Sequence, residues 1–90
     1  MNFKDSINAV IGKPVYLHCN AKGFPLPTFR WLKDGWRNIA TDNQYVILEN
    51  GTLLISSVSK MNKGPFKCEA KNNYGQDQKS LMLNVLGIAL

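Results

Sequence analysis

Two cysteines constrain this chain more strongly than any other feature, because each lies on the apolar side of an alternating segment. Around Cys68, apolar and charged side chains alternate with the two-residue period of a strand that has one face in a core and one in water. Cys19 ends a second segment with the same alternation, and Trp31 lies between the two cysteines in a third apolar segment. We therefore expect both cysteines to face the interior of a β-structured domain.

The remainder of the chain divides into short alternating segments separated by glycine, proline, asparagine and aspartate. We predict strands at residues 3–11 (in two pieces), 15–21, 28–33, 37–40, 44–49, 52–57, 64–71 and 76–86. In the later strands, the side chains predicted to face the core are Tyr45, Ile47, Leu53, Ile55, Leu81, Leu83 and Val85. Short strands with regular turn signals and no helical period predict an all-β sandwich.

Three connections carry definite predictions. The segment 23–27 contains two prolines, which fix the backbone and make it a stiff connector. Asn50-Gly51 is the strongest hairpin signal, because a type I′ turn requires positive φ at both central positions. Residues 58–64 are expected to turn a corner through one helical turn.

The length of 90 residues fits one domain over residues 1–90, with a core from about residue 7 to residue 85 and a linker or tail at 86–90. The chain start lacks the charged and apolar run of a secretory signal, so we expect a domain excised from a longer secreted or membrane-anchored protein.

The net charge of +5 is spread along the chain instead of forming the stripe that a nucleic-acid binder needs. Affinity for heparan sulfate stays open on charge alone, beside the simpler interpretation of a solvated cationic surface.

No constellation of residues predicts catalysis. His18 is the one histidine, and no carboxylate or nucleophile stands at a defined spacing from it. The cysteines lack the spacing of a metal site, and the glycines lack a phosphate-loop pattern. We expect a non-enzyme without a cofactor or a metal.

Four ordered motifs resemble those of an intermediate-set (I-set) immunoglobulin domain, over roughly Ile7 to Val85. They are Gly23-Phe-Pro-Leu-Pro27, Trp31-Leu-Lys-Asp-Gly35, Asn50-Gly-Thr-Leu-Leu-Ile55 and Cys68-Glu-Ala-Lys-Asn-Asn-Tyr-Gly75. The resemblance implies two antiparallel sheets with Greek-key connections, joined by a Cys19–Cys68 disulfide that packs on Trp31. A pair of buried free thiols is the alternative, because cytosolic domains of this kind keep their cysteines reduced.

One segment departs from the family pattern. The family has D-x-G-x-Y-x-C before the second cysteine, and this chain has Asn62 and Phe66 at the aspartate and tyrosine positions. Phe66 has no hydroxyl, so the family's tyrosine-corner hydrogen bond is lost. Gln44 replaces the family's arginine partner, which predicts an amide–amide hydrogen bond between Asn62 and Gln44. With Pro65 also removing a backbone donor, we expect a corner weakened by about 1–2 kcal/mol.

The resemblance implies protein–protein recognition, or a spacer role, in the ectodomain of a cell-surface adhesion molecule or receptor. Partners would be a homophilic or heterophilic adhesion protein, or neighbouring immunoglobulin and fibronectin domains, at an extracellular location. An intracellular structural module of the titin type is one alternative, and a heparan-sulfate-binding extracellular module is another. Reduced cysteines would favour the titin type, and salt-dependent heparin retention would favour the heparan-sulfate module.

Three further sites are predicted on the surface. Trp36 and Arg37, on a turn, have the composition of a binding hot spot, although Trp36 has the alternative of folding back over the sandwich edge. The outward side chains expected to form one sheet surface are Arg30, Leu32, Lys67, Glu69, Lys71, Met82 and Asn84, with Leu32 and Met82 exposed. Asn50-Gly51-Thr52 is an N-glycosylation sequon, and the same Asn-Gly is also explained by the turn alone.

Overall fold

A computed structural model describes residues 5–19, 21 and 23–87. Its strands are β1 (Asp5–Val10), β2 (Val15–Leu17), β3 (Thr28–Lys33), β4 (Arg37–Asn38), β5 (Tyr45–Ile47), β6 (Leu53–Ile55), β7 (Gly64–Asn72) and β8 (Gly75–Leu86). A short 3₁₀ helix, Lys60–Asn62, lies at the predicted corner. The predicted beginning of the first strand at residues 3–4, position 20 of the second, and most of the tail at 88–90 lie outside the described residues.

The strands form two sheets that pack into the predicted β-sandwich. The larger sheet has the strand order β1-β8-β7-β3-β4, and the smaller has the order β2-β6-β5. All strand pairs are antiparallel except β1 with β8, which run parallel with Ala9 opposite Val85. In β3 and β7, Trp31 lies directly opposite Cys68, which places both on the inward face of the larger sheet.

The core lies between the two sheets, and a disulfide crosses it. Cys19, two residues beyond β2, is joined to Cys68 of β7, with the Cα atoms 6.0 Å apart. The largest fully buried side chains are Trp31, Phe66, Leu17, Leu53, Ile55, Leu81 and Leu83. Tyr45, Ile47 and Val85 are half-buried and pack against this core. The structure therefore confirms which side chains of the later strands face the core.

The hairpin between β5 and β6 differs from the prediction. Of its two turn residues, only Gly51 has a positive φ, at +91°, so the predicted type I′ turn is wrong. The loop has three residues: Gly51 N–H donates to Leu48 O at 3.0 Å, and Leu48 N–H donates to Thr52 O at 2.8 Å. This is a three-residue hairpin with glycine in the left-handed position. It also aims the Gly51 carbonyl at Trp31, whose Nε1–H donates to that oxygen at 2.7 Å.

The corner before β7 is held by Asn62, with a partner that the sequence did not indicate. Its Nδ2 donates to the Tyr45 hydroxyl at 2.9 Å, and its Oδ1 accepts the Ser59 backbone N–H at 2.7 Å. The predicted amide pair with Gln44 is therefore wrong, because the Asn62 amide bonds the hydroxyl of Tyr45 on β5 instead. The hydroxyl that Phe66 lacks is supplied here by another strand.

We predict that Gly51→Ala lowers the free energy of unfolding by about 2–4 kcal/mol, since left-handed backbone and the Phe29 ring both oppose a side chain there. A Cβ at this position would lie 2.5 Å from Phe29 Cδ1. Gly35→Ala is the matched control, because Gly35 has a φ of +83° but no atom within 4 Å of its added Cβ. The control is expected to lose only about 1 kcal/mol. Urea unfolding measures both, and equal losses would contradict the packing of Phe29 on Gly51.

Candidate functional site

The outward face of the larger sheet carries an ion-pair network on β3 and β7. Arg30 lies opposite Glu69, and its Nε donates to Glu69 Oε1 at 2.9 Å, with Nη2 on the same oxygen. Lys67 Nζ lies 3.3 Å from Glu69 Oε2. Lys71 lies opposite Thr28 at the far end of the strands, so it belongs to the same face but not to the network. The strand pairing also brings Met82 and Asn84 of β8 onto this face.

Leu32 does not contribute an exposed apolar group to this face. It is 7% exposed, and it lies outside the core cluster between the two sheets. β3 runs between β7 and β4, so Leu32 is flanked by Lys67 on one side and Asn38 on the other. Met82 is half-buried as well. The expectation that Leu32 and Met82 are exposed is therefore wrong, and the face is mainly polar.

Trp36 is presented to solvent on the turn between β3 and β4, with 75% of its surface exposed, and does not fold back over the sandwich. Arg37 beside it is exposed too. The turn is anchored from inside by Lys33, which is 3% exposed. Lys33 Nζ donates to Asp34 Oδ1 at 2.8 Å and to Lys63 O at 3.0 Å, and it lies 5.3 Å from the Phe66 ring centroid. A buried lysine in this role had no signal in the sequence beyond its alternation with Trp31.

Sequence reasoning missed a second exposed group at the opposite end of β3. Phe24, Leu26 and Tyr74 are 93%, 70% and 84% exposed, and we call them the loop-end cluster. Phe24 and Leu26 belong to the loop before β3, and Tyr74 belongs to the turn between β7 and β8. Their composition was visible within two family motifs, but the exposure of the side chains was not.

The two loops that carry the loop-end cluster are joined to each other. Asn72 Nδ2 donates to Pro25 O at 2.9 Å, and Thr28 Oγ1 donates to Lys71 O at 3.3 Å. Asn72 Oδ1 accepts the Tyr74 backbone N–H at 2.9 Å, so one side chain orders both loops. The Phe24–Pro25 peptide bond is cis. The hydrogen bonds of Asn72 and Thr28 hold the cluster on an ordered platform, which lowers the entropy that a partner must overcome on binding.

The electrostatics of the network affect one carboxylate in particular. The hydrogen bond from Arg30 holds the pKa of Glu69 below its usual value of 4.5, against partial burial, and Lys67 acts in the same direction as Arg30. Asp42 also has a lowered pKa, because it accepts the backbone N–H groups of Tyr45 and Gln44. Both lowered pKa values keep these carboxylates ionised near neutral pH.

Within the described part of the chain, no three side chains of the metal-ligating types come together. No helix there has the length and apolarity needed to cross a bilayer. His18 Nδ1 lies 3.1 Å from Thr52 Oγ1 instead of beside a carboxylate. The surface features that the structure presents are the polar sheet face, the Trp36 turn and the loop-end cluster.

Comparison with known proteins assigns the family. Residues 2–85 match the Immunoglobulin I-set domain family. The chain is an I-set immunoglobulin domain. Folds of this family serve as recognition modules, and the I-set domain resembles those found in adhesion proteins and receptors.

Two curated relatives show the kind of protein in which similar domains occur. The I-set domain is 44% identical over 69 residues to Peroxidasin homolog pxn-2 of Caenorhabditis elegans, which covers 76% of this chain. It is 40% identical over 67 residues to Roundabout homolog 3 of Homo sapiens, which covers 74% of this chain. The matched region is 5% of the length of each relative, so the activities of those whole proteins do not transfer.

Solved structures agree on the fold. Extracellular domains 3–5 of Drosophila OTK superpose on 90% of this chain, and on 27% of that chain, with a TM-score of 0.77 and 29% identity. The Titin M10–Obscurin like 1 Ig complex superposes on 100% of this chain, and on 94% of that chain, with a TM-score of 0.84 and 24% identity. The second likeness shows the fold alone, so shape by itself does not separate an extracellular module from a muscle-type one.

We predict that Glu69 makes the stability of the I-set domain depend on pH in the acidic range. A carboxyl whose pKa is lowered by folding stabilises the fold above its unfolded pKa, and this contribution is lost as pH falls through the folded value. Thermal melts should therefore show a loss of stability below about pH 4.5 that is smaller in Glu69→Gln. Glu49→Gln is the control, because Glu49 makes no ion pair with a described residue. Identical acid profiles for wild type and Glu69→Gln would contradict the network.

Proposed function

We propose that this I-set domain is a protein-recognition module in the extracellular part of a multidomain adhesion molecule or receptor. The loop-end cluster is the observation that supports the proposal most directly. Phe24, Leu26 and Tyr74 expose most of their surface to water on two hydrogen-bonded loops, and large exposed apolar groups on neighbouring loops are typical of protein-interaction sites. Aromatic side chains on an ordered platform are also the usual content of a binding hot spot.

The disulfide supports the extracellular location. Cys19 and Cys68 are bonded, and the structure describes no free cysteine. Disulfides persist in secreted and cell-surface proteins and are rare in the reducing cytosol. A titin-type intracellular module would need these thiols reduced, and would then lack the bond that spans its two sheets. The likeness to extracellular domains of Drosophila OTK, at 29% identity, also supports this location.

The charge of the domain favours a heterophilic partner over a second copy of the same domain. With a net charge of +5, two copies repel each other at long range. A partner surface with an apolar pocket and an acidic border would complement both the loop-end cluster and nearby Lys71. The Trp36 turn, with Arg37, lies at the other end of β3, outside the contact proposed here. Its matched chemistry makes it a useful control.

Heparan sulfate is less well supported than a protein partner. Four of the basic side chains, Arg30, Lys33, Lys67 and Lys79, already make ion pairs within the domain. Paired cations neutralise part of the positive charge that a polyanion would otherwise meet. Arg37 and Lys71 are exposed at opposite ends of the larger sheet, and exposed Lys13, Lys60 and Lys63 carry further positive charge outside these ion pairs. A heparan-sulfate module would instead need its free cations gathered on one face.

Streptavidin tetramers of the biotinylated domain are expected to bind protein receptors on a panel of cultured cells. Tyr74→Ser or Phe24→Ser should weaken binding by more than about tenfold, while Trp36→Ser leaves it near the wild-type level. These side chains are exposed, so the substitutions should change folding stability by less than about 0.5 kcal/mol. Trypsin treatment of the cells should abolish binding and heparinase should not. Absence of binding on every cell type would favour a spacer, and loss of binding after heparinase would favour heparan sulfate.

A further inference from the structure

We infer that Asn50 is the acceptor of an N-linked glycan, and that the glycan is added before the β5–β6 hairpin closes. The inference rests on the proposed extracellular function, because the modification occurs on the secretory route. Asn50-Gly51-Thr52 is the one N-x-Ser/Thr sequence in the 90 residues. The structure shows both why a glycan fits the folded domain and why the folded domain would not accept one.

The Asn50 side chain is positioned to carry a substituent. Asn50 is exposed in the loop between β5 and β6, and its Oδ1 accepts the Thr52 backbone N–H at 3.0 Å. Its Nδ2, the atom that would bear the sugar, donates no hydrogen bond to any described residue. A glycosylated amide keeps its carbonyl oxygen and one N–H. The modification therefore leaves the hydrogen bond to Thr52 in place and displaces no packed group.

The other two residues of the sequon are locked into the fold. Gly51 is buried against Phe29, and its carbonyl accepts the Trp31 Nε1–H at 2.7 Å. Thr52 is 3% exposed, with its hydroxyl oxygen 3.1 Å from His18 Nδ1. The sequon requires serine or threonine at its third position, so the hydroxyl is part of what the transferring enzyme reads. In the folded domain that hydroxyl is inside, and the enzyme cannot reach it without opening the hairpin.

Because the chain is synthesised from its N-terminus, there is a period in which the sequon is present but the domain has not folded. Asn50 precedes Cys68 in the sequence, and the disulfide that fixes the sandwich cannot form until Cys68 has been synthesised. Chains emerge at about 5–20 residues per second, and domains fold as units after emergence. The sequon is therefore presented in an unfolded chain before Trp31 and His18 engage it.

The transfer needs one co-reactant, a polyprenyl-pyrophosphate-linked oligosaccharide. Nδ2 of Asn50 forms a bond to the anomeric carbon of the sugar, while the bond from that carbon to the pyrophosphate oxygen breaks. The amide nitrogen loses one proton, and polyprenyl pyrophosphate leaves with the electron pair. Nothing is oxidised or reduced, so the step does not compete with disulfide formation for an oxidant.

The test uses unglycosylated chain in two states, incubated with purified oligosaccharyltransferase and the lipid-linked donor. One sample is oxidised and folded, and the other is reduced and alkylated at both cysteines so that it stays open. We expect one glycan per open chain, read by intact mass and reversed by peptide N-glycosidase, with the folded sample slower by more than about tenfold. Asn50→Asp is the control, since aspartate keeps the oxygen that accepts from Thr52 but has no amide nitrogen.

The outcomes separate this inference from the proposed function. No transfer to the open chain would overturn Asn50 as an acceptor, and equal rates for the two samples would overturn the order of events. When the chain is expressed behind a secretory leader, an oxidised, secreted product without a glycan would refute the glycan and leave the extracellular assignment standing. A chain that is retained in the cell with free thiols in both wild type and Asn50→Asp would contradict the extracellular assignment itself.

Discussion

The Cys19–Cys68 disulfide is the constraint on which the rest of the structure depends. It joins the segment beyond β2 of the smaller sheet to the middle of β7 in the larger one, across a separation of 49 residues. Closing a loop of that size contributes about 4 kcal/mol in the chain-entropy model. Trp31 lies opposite Cys68 and adds a second tie between the sheets, because its indole N–H bonds Gly51 in the β5–β6 hairpin.

Because the disulfide and the core between the sheets hold the sandwich together, the loops at its two ends are free to carry function. One end has the loop-end cluster, ordered by Asn72, and the other has Trp36, on a turn anchored by the buried Lys33. Neither group contributes to the core, so its exposure is not a by-product of packing. The polar sheet face between them is largely satisfied by the Arg30–Glu69 network, which leaves it few unpaired groups to offer a partner.

Much of the fold could be predicted from alternation, because a period of two specifies which side chains face inward and where a strand ends. That reasoning located Trp31 and the buried side chains of β6 and β8. It failed for Leu32, because burial on the outer face depends on which strands flank β3, and pairing is not encoded locally. It failed for the Asn50-Gly51 turn and for the partner of Asn62 for a related reason. Trp31 bonds Gly51, and Tyr45 bonds Asn62, in each case from a distant part of the chain. The loop-end cluster was missed because exposure of loop side chains has no periodicity to read.

The measurement that tests the account most directly is the intact mass and thermal melt of the purified domain, with and without a reductant. The account predicts a mass two hydrogens below that of the dithiol chain, and a melting temperature that falls by well over about 10 °C on reduction, since each kcal/mol shifts the midpoint of a domain this small by several degrees. Free thiols with a melt indifferent to the reductant would contradict the bond between the sheets. That result would also contradict the extracellular assignment and would favour an intracellular structural module.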